Sequence, residues 1–119
     1  MLFRSRPNVS IIMAARNEEA NLPTKLENLR QLDYPADKIE VIVASDGSTD
    51  RTAEILNQQG TSIIPVILRD SKGKANTLNE AVKRATGELL VFLDARQFID
   101  KNAISELRSE EHTSELQSL

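Results

Sequence analysis

Cysteine and tryptophan are absent from this 119-residue chain, and the other aromatic residues are one Tyr and three Phe. Without cysteine, the chain has no disulfide scaffold, no thiolate zinc site and no cysteine nucleophile. So few aromatic rings disfavour a base-stacking surface, and a net charge of −3 gives no electrostatic case for nucleic-acid binding. We therefore expect no nucleic-acid partner.

Long hydrophobic runs are also missing. The longest lie at residues 9–15 and 89–93, which is far too short to cross a bilayer, and no signal peptide precedes them. Charged residues make up 28% and hydrophobic residues 39%, which is ordinary for a globular protein. The sequence predicts a soluble, cytoplasmic chain that is one domain or part of one.

The last twelve residues differ in character from the rest. Residues 108–119 are rich in Ser and Glu and contain His112, the one histidine of the chain. Residues 108–118 back-translate without a gap to a string that resembles a common sequencing-library adapter. We predict that residues 1–107 are the natural segment and residues 108–119 a non-native tail; a solvated helix end or a disordered tail is the alternative. The natural segment then has carboxylates, Lys, Arg and backbone groups for its chemistry.

Strand-like and helix-like patterns alternate up to residue 107. Strands are predicted at 9–15, 39–44, 62–68 and 88–93, and helices after residue 17, at 51–59, at 74–85 with Gly87 closing it, and after Asp100. This order predicts an α/β fold with right-handed crossovers and a mostly parallel sheet. Pro65 cannot donate to a ladder, so the third strand belongs at an edge, which favours strand order 3-2-1-4.

The residues of chemical interest each follow a predicted strand. They are Arg16 and Glu18, Asp46, the loop at 69–74, and Asp94 with Arg96. Because parallel strands end at the same edge, these residues share one rim, and the ligand site falls between strands 1 and 4. Carboxylates and cations together suit a metal-bound phosphorylated ligand. Neither a G-x-G-x-x-G nor a G-x-x-x-x-G-K-[ST] motif is present, which disfavours two rival nucleotide folds.

Four segments resemble the successive signatures of family-two glycosyltransferases, with the nearest likeness to the cellulose-synthase-like branch. They are VSIIMAARNEE at 9–19, VASDGSTD at 43–50, GKANTLN at 73–79 and FLDA at 92–95. The resemblance covers about residues 8–107. It implies a Rossmann-like, three-layer GT-A nucleotide-sugar-binding fold. It also implies an enzyme that transfers a sugar with inversion from a UDP-sugar to a saccharide or lipid hydroxyl.

The resemblance implies a donor site built from several loops. Residues 14–18, which include Ala15 and Arg16, would form the loop beneath the nucleotide, with Glu18 near the base or ribose. Asp46 would accept a hydrogen bond from the uracil ring N–H, and its alternative role is a turn residue. Lys74 would contact the donor phosphates, a role that suits a compact cation.

The metal motif departs from the family pattern. By resemblance, Asp94 would bind the Mg²⁺ or Mn²⁺ that bridges the diphosphate. The usual D-x-D motif reads D-A-R here, so Arg96 stands at the second acidic position, and a guanidinium cannot bind a metal. Arg96 would instead face the diphosphate.

The family's acceptor-binding half, with its catalytic Asp base, follows the D-x-D region and is not found within residues 1–107. Neither are the Q-x-x-R-W-type signature and the membrane helices of membrane-bound members, so we expect this chain to meet a membrane only through parts that it lacks. The intact parent would then act at the cytoplasmic face. Two alternatives stay open: a sugar-phosphate nucleotidyltransferase, and a non-catalytic nucleotide-binding module.

Overall fold

The structure, a computed structural model, describes residues 6–107. Within that range the chain forms β1 Val9–Ala15, α1 Leu22–Arg30, a 3-10 turn Ala36–Lys38, β2 Ile39–Asp46, α2 Thr52–Asn57, β3 Ile64–Leu68, α3 Lys74–Val82, β4 Leu89–Asp94 and α4 Ala103–Leu107. The predicted non-native tail at residues 108–119 lies outside the described residues. In the described part, none of the helices is long and apolar enough to span a bilayer.

The four strands form one parallel sheet in the order β3-β2-β1-β4, which confirms the predicted order. Pro65 lies in β3 at the sheet edge, beside Val43 of β2, where a residue without an N–H is tolerated. At the other side of the sheet, Ala14 of β1 lies beside Asp94 of β4. The carboxyl ends of β1 and β4 therefore meet at the topological switch point.

Helices cover both faces of the sheet. Ile11 and Met13 of β1 belong to the larger core, which also contains residues of α1, α2 and α4. Ile12 points to the opposite face, where it packs in a second core with Ala81 of α3. This alternation along one buried strand produces the three layers that the family resemblance implies.

The third helix is shorter than the sequence pattern predicts. The pattern continues to residue 85, but α3 ends at Val82, and Gly87 lies in the turn before β4 rather than closing the helix. A Cβ atom on Gly87 would lie 2.6 Å from the Ser10 hydroxyl oxygen. Gly87 is therefore required by close packing against β1, and its N–H donates to the Ser10 Oγ at 2.8 Å.

A polar cluster ties three segments together at the amino end of the sheet. The Ser10 hydroxyl donates to Oε2 of Glu40 at 2.6 Å, and the Thr86 N–H donates to the same oxygen at 2.7 Å. Burial opposes ionisation of Glu40, but these hydrogen bonds outweigh burial and hold the pKa of Glu40 below its ordinary value. The carboxylate thus joins β1, β2 and the turn before β4, at the end of the sheet opposite the switch point.

Candidate donor-binding site

A cavity of about 330 Å³ lies at the carboxyl ends of β1, β2 and β4. All seven residues that the sequence predicts for the donor site line it: Ala15, Arg16, Glu18, Asp46, Lys74, Asp94 and Arg96. Its remaining wall consists of Ala14, Ser71, Gly73 and Ala95. Segments distant in sequence meet here because every strand of a parallel sheet ends on the same side.

The loop after β1 is held in place by the turn that follows β2. Asn17 has a positive φ of 53°, a conformation that Asn tolerates better than most residues, and its side-chain oxygen accepts the Thr49 N–H at 2.7 Å. The Glu18 N–H donates to the Thr52 hydroxyl oxygen at 2.8 Å. These contacts fix the backbone that carries Arg16 and Glu18 to the cavity.

Asp50 does not line the cavity but organises the start of α2, where it lies before the N-cap residue Arg51. Its Oδ1 accepts hydrogen bonds from the Thr52 hydroxyl at 2.6 Å and from the Thr52 N–H at 2.9 Å. The bond from the Thr52 hydroxyl is the largest cause that holds the pKa of Asp50 below its ordinary value. Its Oδ2 also accepts the Glu19 N–H at 3.1 Å, which adds to the connection between the two loops.

Asp46 ends β2 and is 6% exposed. Its Oδ1 accepts the Lys72 N–H at 2.6 Å, while Oδ2 accepts the Gly73 N–H and the Ser71 hydroxyl, both at 3.2 Å. Burial opposes ionisation, but these bonds together with one from Thr77 hold the pKa of Asp46 below its ordinary value. Asp46 is therefore a carboxylate at the cavity wall that also anchors the loop between β3 and α3, a role that the sequence did not reveal.

Gly47 brings that same loop close to the end of β2. Its φ is 62°, and its N–H donates to the carbonyl of Leu68 at 3.0 Å. A Cβ atom at this position would lie 2.4 Å from the backbone nitrogen of Ser71. The glycine is thus needed both for its backbone conformation and for the approach of the loop that brings Ser71 and Gly73 to the cavity.

Cations surround the carboxylate of Asp94. The Lys74 Nζ lies 3.9 Å from Oδ2 of Asp94, and the Arg96 Nε lies 3.8 Å from Oδ1. The backbone N–H of Arg96 also donates a hydrogen bond to Oδ1 of Asp94 at 2.8 Å. A phosphate group entering the cavity would therefore meet two positively charged side chains that lie beside the carboxylates of Asp94 and Glu18.

Acidic, histidine and cysteine side chains do not form a metal-binding group within residues 6–107. In this part of the chain, no three His, Cys, Asp or Glu side chains cluster in a way that could hold a metal ion. Mg²⁺ keeps several waters and commonly binds one or two carboxylates plus phosphate oxygens. Asp94 lines the cavity as one carboxylate, so a divalent ion beside it would need the phosphate oxygens of a bound ligand to complete its coordination.

An open parallel sheet with helices on both faces and a charged cavity at the switch point make this an α/β protein, and its fold matches solved structures of GT-A glycosyltransferases. The profile of the family described as "Glycosyl transferase family 2" matches residues 10–110. The chain belongs to this family.

Three relatives illustrate the similarity. Poly-beta-1,6-N-acetyl-D-glucosamine synthase of Staphylococcus aureus (strain COL) is 34% identical over 97 residues, which cover 80% of this chain and 23% of the synthase. The mannosyltransferase PcManGT from Pyrobaculum calidifontis was solved in complex with GDP-Man and Mn²⁺. It is 33% identical to this chain with a TM-score of 0.77, and the match covers 85% of this chain and 31% of the mannosyltransferase chain. S. aureus TarS 1-349, solved in complex with UDP-GlcNAc, is 28% identical with a TM-score of 0.77 over 83% of this chain and 29% of that one.

The chain spans less than a quarter of the length of the curated relatives that it matches.

Proposed function

We propose that this chain is the donor-binding part of an inverting glycosyltransferase that takes its sugar from a UDP-sugar. The observation that carries the proposal is the arrangement of Lys74 and Arg96 around Asp94 at the switch point, in a chain of glycosyl transferase family 2. Two cations beside the carboxylate of Asp94 suit a diphosphate with a bound divalent ion, and Glu18 lies on the far side of Arg96.

The uridine preference rests on Asp46. Its carboxylate lines the cavity and, beside the hydrogen bonds that it accepts from the loop at residues 71–73, would also accept the ring N–H of uracil. Glu18 lies on the neighbouring loop and would face the base or ribose, with Ala15 and Arg16 beneath the nucleotide. The small side chains of Ala14 and Ala15 leave room for the ligand at the end of β1.

The metal proposal assigns Mg²⁺ or Mn²⁺ to Asp94 together with the donor diphosphate. When bound, the ion would offset the negative charge that develops on the departing nucleotide. Arg96 and Lys74 would share this neutralisation, which reduces the need for a second carboxylate in the motif.

Sugar transfer itself requires an acceptor site and a general base, which we assign to the rest of the parent enzyme. An acidic side chain there would deprotonate a saccharide or lipid hydroxyl, as inverting transfer demands. We place this parent in the cytoplasm or at the cytoplasmic face of the membrane. Arg96 also favours a second candidate, a nucleotide-binding module without catalysis, and an acidic acceptor-side motif in the intact reading frame would exclude it.

Calorimetric titrations with UDP, GDP and UMP test the donor proposal. We expect UDP to bind more tightly than UMP, because its second phosphate reaches Lys74, and more tightly than GDP. Lys74→Met should remove most of the advantage of UDP over UMP. Lys83→Met is the matched control, since Lys83 is 70% exposed against 68% for Lys74 and follows the other end of α3. The absence of UDP binding to the unaltered chain would overturn the proposal.

A further inference from the structure

The most deeply buried charged side chain among the described residues is not in the cavity but beneath it. Lys25 lies on the inner face of α1 between Leu22 and Leu26 and is 2% exposed. Burying an ammonium is costly, and a Met of similar length would fill the same space without that cost. A lysine at this position therefore needs a polar partner that an apolar residue could not serve.

That partner is the turn that follows β4. The Lys25 Nζ donates to the backbone carbonyl of Gln97 and lies 3.4 Å from the side-chain oxygen of Asn28. Asn28, one turn further along α1, then binds Ile99 twice, accepting its N–H at 3.0 Å and donating to its carbonyl at 3.0 Å. Two polar side chains of one helix thus hold both Gln97 and Ile99.

The same turn carries the charged residues of the donor site. Asp94 lies at its start, and the Gln97 N–H donates to the Asp94 carbonyl at 3.2 Å. Asp94 also lines two cavities, the donor cavity and a second one of about 210 Å³ that Lys25 lines as well. Burial lowers the pKa of Lys25, and the negative charge of the Asp94 carboxylate partly opposes this shift.

We propose that Lys25 is a positioning residue for the donor site: from α1 it fixes the turn of residues 94–99 and so keeps Asp94 and Arg96 at the cavity wall. The effect on ligand binding rests on the proposed function. The restraint on the turn does not, because it follows from the contacts of Lys25 with Gln97 alone.

Two readouts on the 119-residue chain test this role. The first is amide hydrogen exchange at Arg96, Gln97 and Ile99, whose N–H groups are all hydrogen bonded in this turn. Lys25→Met should speed their exchange by about tenfold, the scale of one lost charged hydrogen bond, while β1 keeps its protection. The second is the affinity for UDP in the presence of Mn²⁺, which should fall by about tenfold for the same reason.

Lys25→Arg should restore both readouts in part, because it keeps a charged donor for the Gln97 carbonyl. Leu29→Ala is the control for a general loss of stability, since Leu29 is buried on the same face of α1 and contributes no hydrogen bond to the turn. Should Lys25→Met not fold, Lys25→Gln, which keeps a neutral donor, takes its place with the same expected directions.

Unchanged exchange at the three amides in Lys25→Met would overturn the proposal. The proposal would also be overturned if Leu29→Ala, at the same loss of stability as Lys25→Met, sped exchange at these amides and lowered UDP affinity by the same factors. The effect would then come from a general loss of stability. If the unaltered chain binds no UDP, the proposed function fails, and the exchange data still decide whether Lys25 holds the turn.

Discussion

The guanidinium Nε of Arg96 lies 3.7 Å from Oε2 of Glu18, so a cation connects the turn after β4 with the loop after β1. The same nitrogen lies 3.8 Å from Asp94. Arg96 therefore stands between two carboxylates, in the region where the family's usual motif would supply another acidic group. This arrangement puts a cation where the proposed donor site would otherwise have a second metal-binding carboxylate.

Arg96→Asp should change UDP and metal binding in opposite directions. Without metal, UDP affinity should fall, because a cation beside the diphosphate is replaced by an anion. Mn²⁺ affinity without nucleotide should rise, because the variant has two carboxylates at the motif. Separate calorimetric titrations of UDP and Mn²⁺ measure both effects.

Arg84→Asp is the control for this charge reversal, since Arg84 is exposed and follows the far end of α3. It should leave both affinities nearly unchanged. Because the Arg96 side chain is largely exposed, its effect on UDP binding should weaken as salt is added. Unaltered UDP affinity in Arg96→Asp would contradict a role for this cation at the diphosphate.

Two glycine positions allow the energetic cost of backbone strain to be compared with the cost of close packing. Gly47 and Gly60 have similar positive φ values, 62° and 65°, but a Cβ on Gly47 would meet the backbone of Ser71, whereas nothing lies within 4 Å of one on Gly60. Gly60→Ala should cost about 1 kcal/mol of unfolding free energy from strain alone. Gly47→Ala should cost about 2–4 kcal/mol, because the loop that carries Ser71 must also move.

Urea unfolding of the two glycine variants measures this difference. Gly47→Ala should in addition weaken UDP binding, since Ser71 and Gly73 line the cavity, while Gly60→Ala should not. Equal destabilisation of the two variants would show that the contact with Ser71 carries no energetic weight.

More of the fold than of the site could be predicted, because the fold depends on patterns that are local in sequence. A single Pro65 was enough to place β3 at the edge, and buried apolar runs marked each strand. The positions of Asp46 and Asp94 at the rim followed from the same patterns. The bonds from Asp46 to the loop at 71–73 depend on the path of that loop, which no local pattern specifies.

The burial of Lys25 is the feature that the sequence predicted least well. Lys25 interrupts the apolar pattern of α1 at Leu22, Leu26 and Leu29, and lysine is usually exposed, so the sequence gives little reason to bury it. Its burial depends on the carbonyl of Gln97, which comes from a turn 72 residues away. The one sign of a shared polar role in the sequence was that Lys25 and Asn28 are three residues apart and so lie on the same face of the helix.

The acid sensitivity of the fold should depend in part on Glu40. The pKa of Glu40 in the folded state is lower than its ordinary value of 4.5. The ionised side chain therefore stabilises the fold at pH values above 4.5, and this stabilisation is lost as the pH falls through the folded-state pKa. Glu40→Gln should therefore be less stable than the unaltered chain at neutral pH, and the difference should shrink in acid. Urea midpoints at pH 7 and at roughly pH 2.5 measure it.

Glu27→Gln is the matched control, because Glu27 is an exposed carboxylate whose partner Arg30 lies on the same helix. Its stability difference should be small at both pH values. A difference for Glu40→Gln that stays constant with pH would mean that the bonds from Ser10 and Thr86 do not favour the ionised form.

A titration of Mn²⁺ and UDP, singly and together, tests whether Asp94 and a donor diphosphate hold a divalent ion between them. In the unaltered chain, Mn²⁺ alone should bind weakly, and each ligand should raise the affinity for the other by the same factor, as linkage requires. Asp94→Ala should abolish this coupling and leave some metal-free UDP binding, while Glu80→Ala, which removes a carboxylate of α3 that pairs with Lys83, should preserve it. Tight binding of Mn²⁺ without nucleotide, or undiminished coupling in Asp94→Ala, would contradict the account.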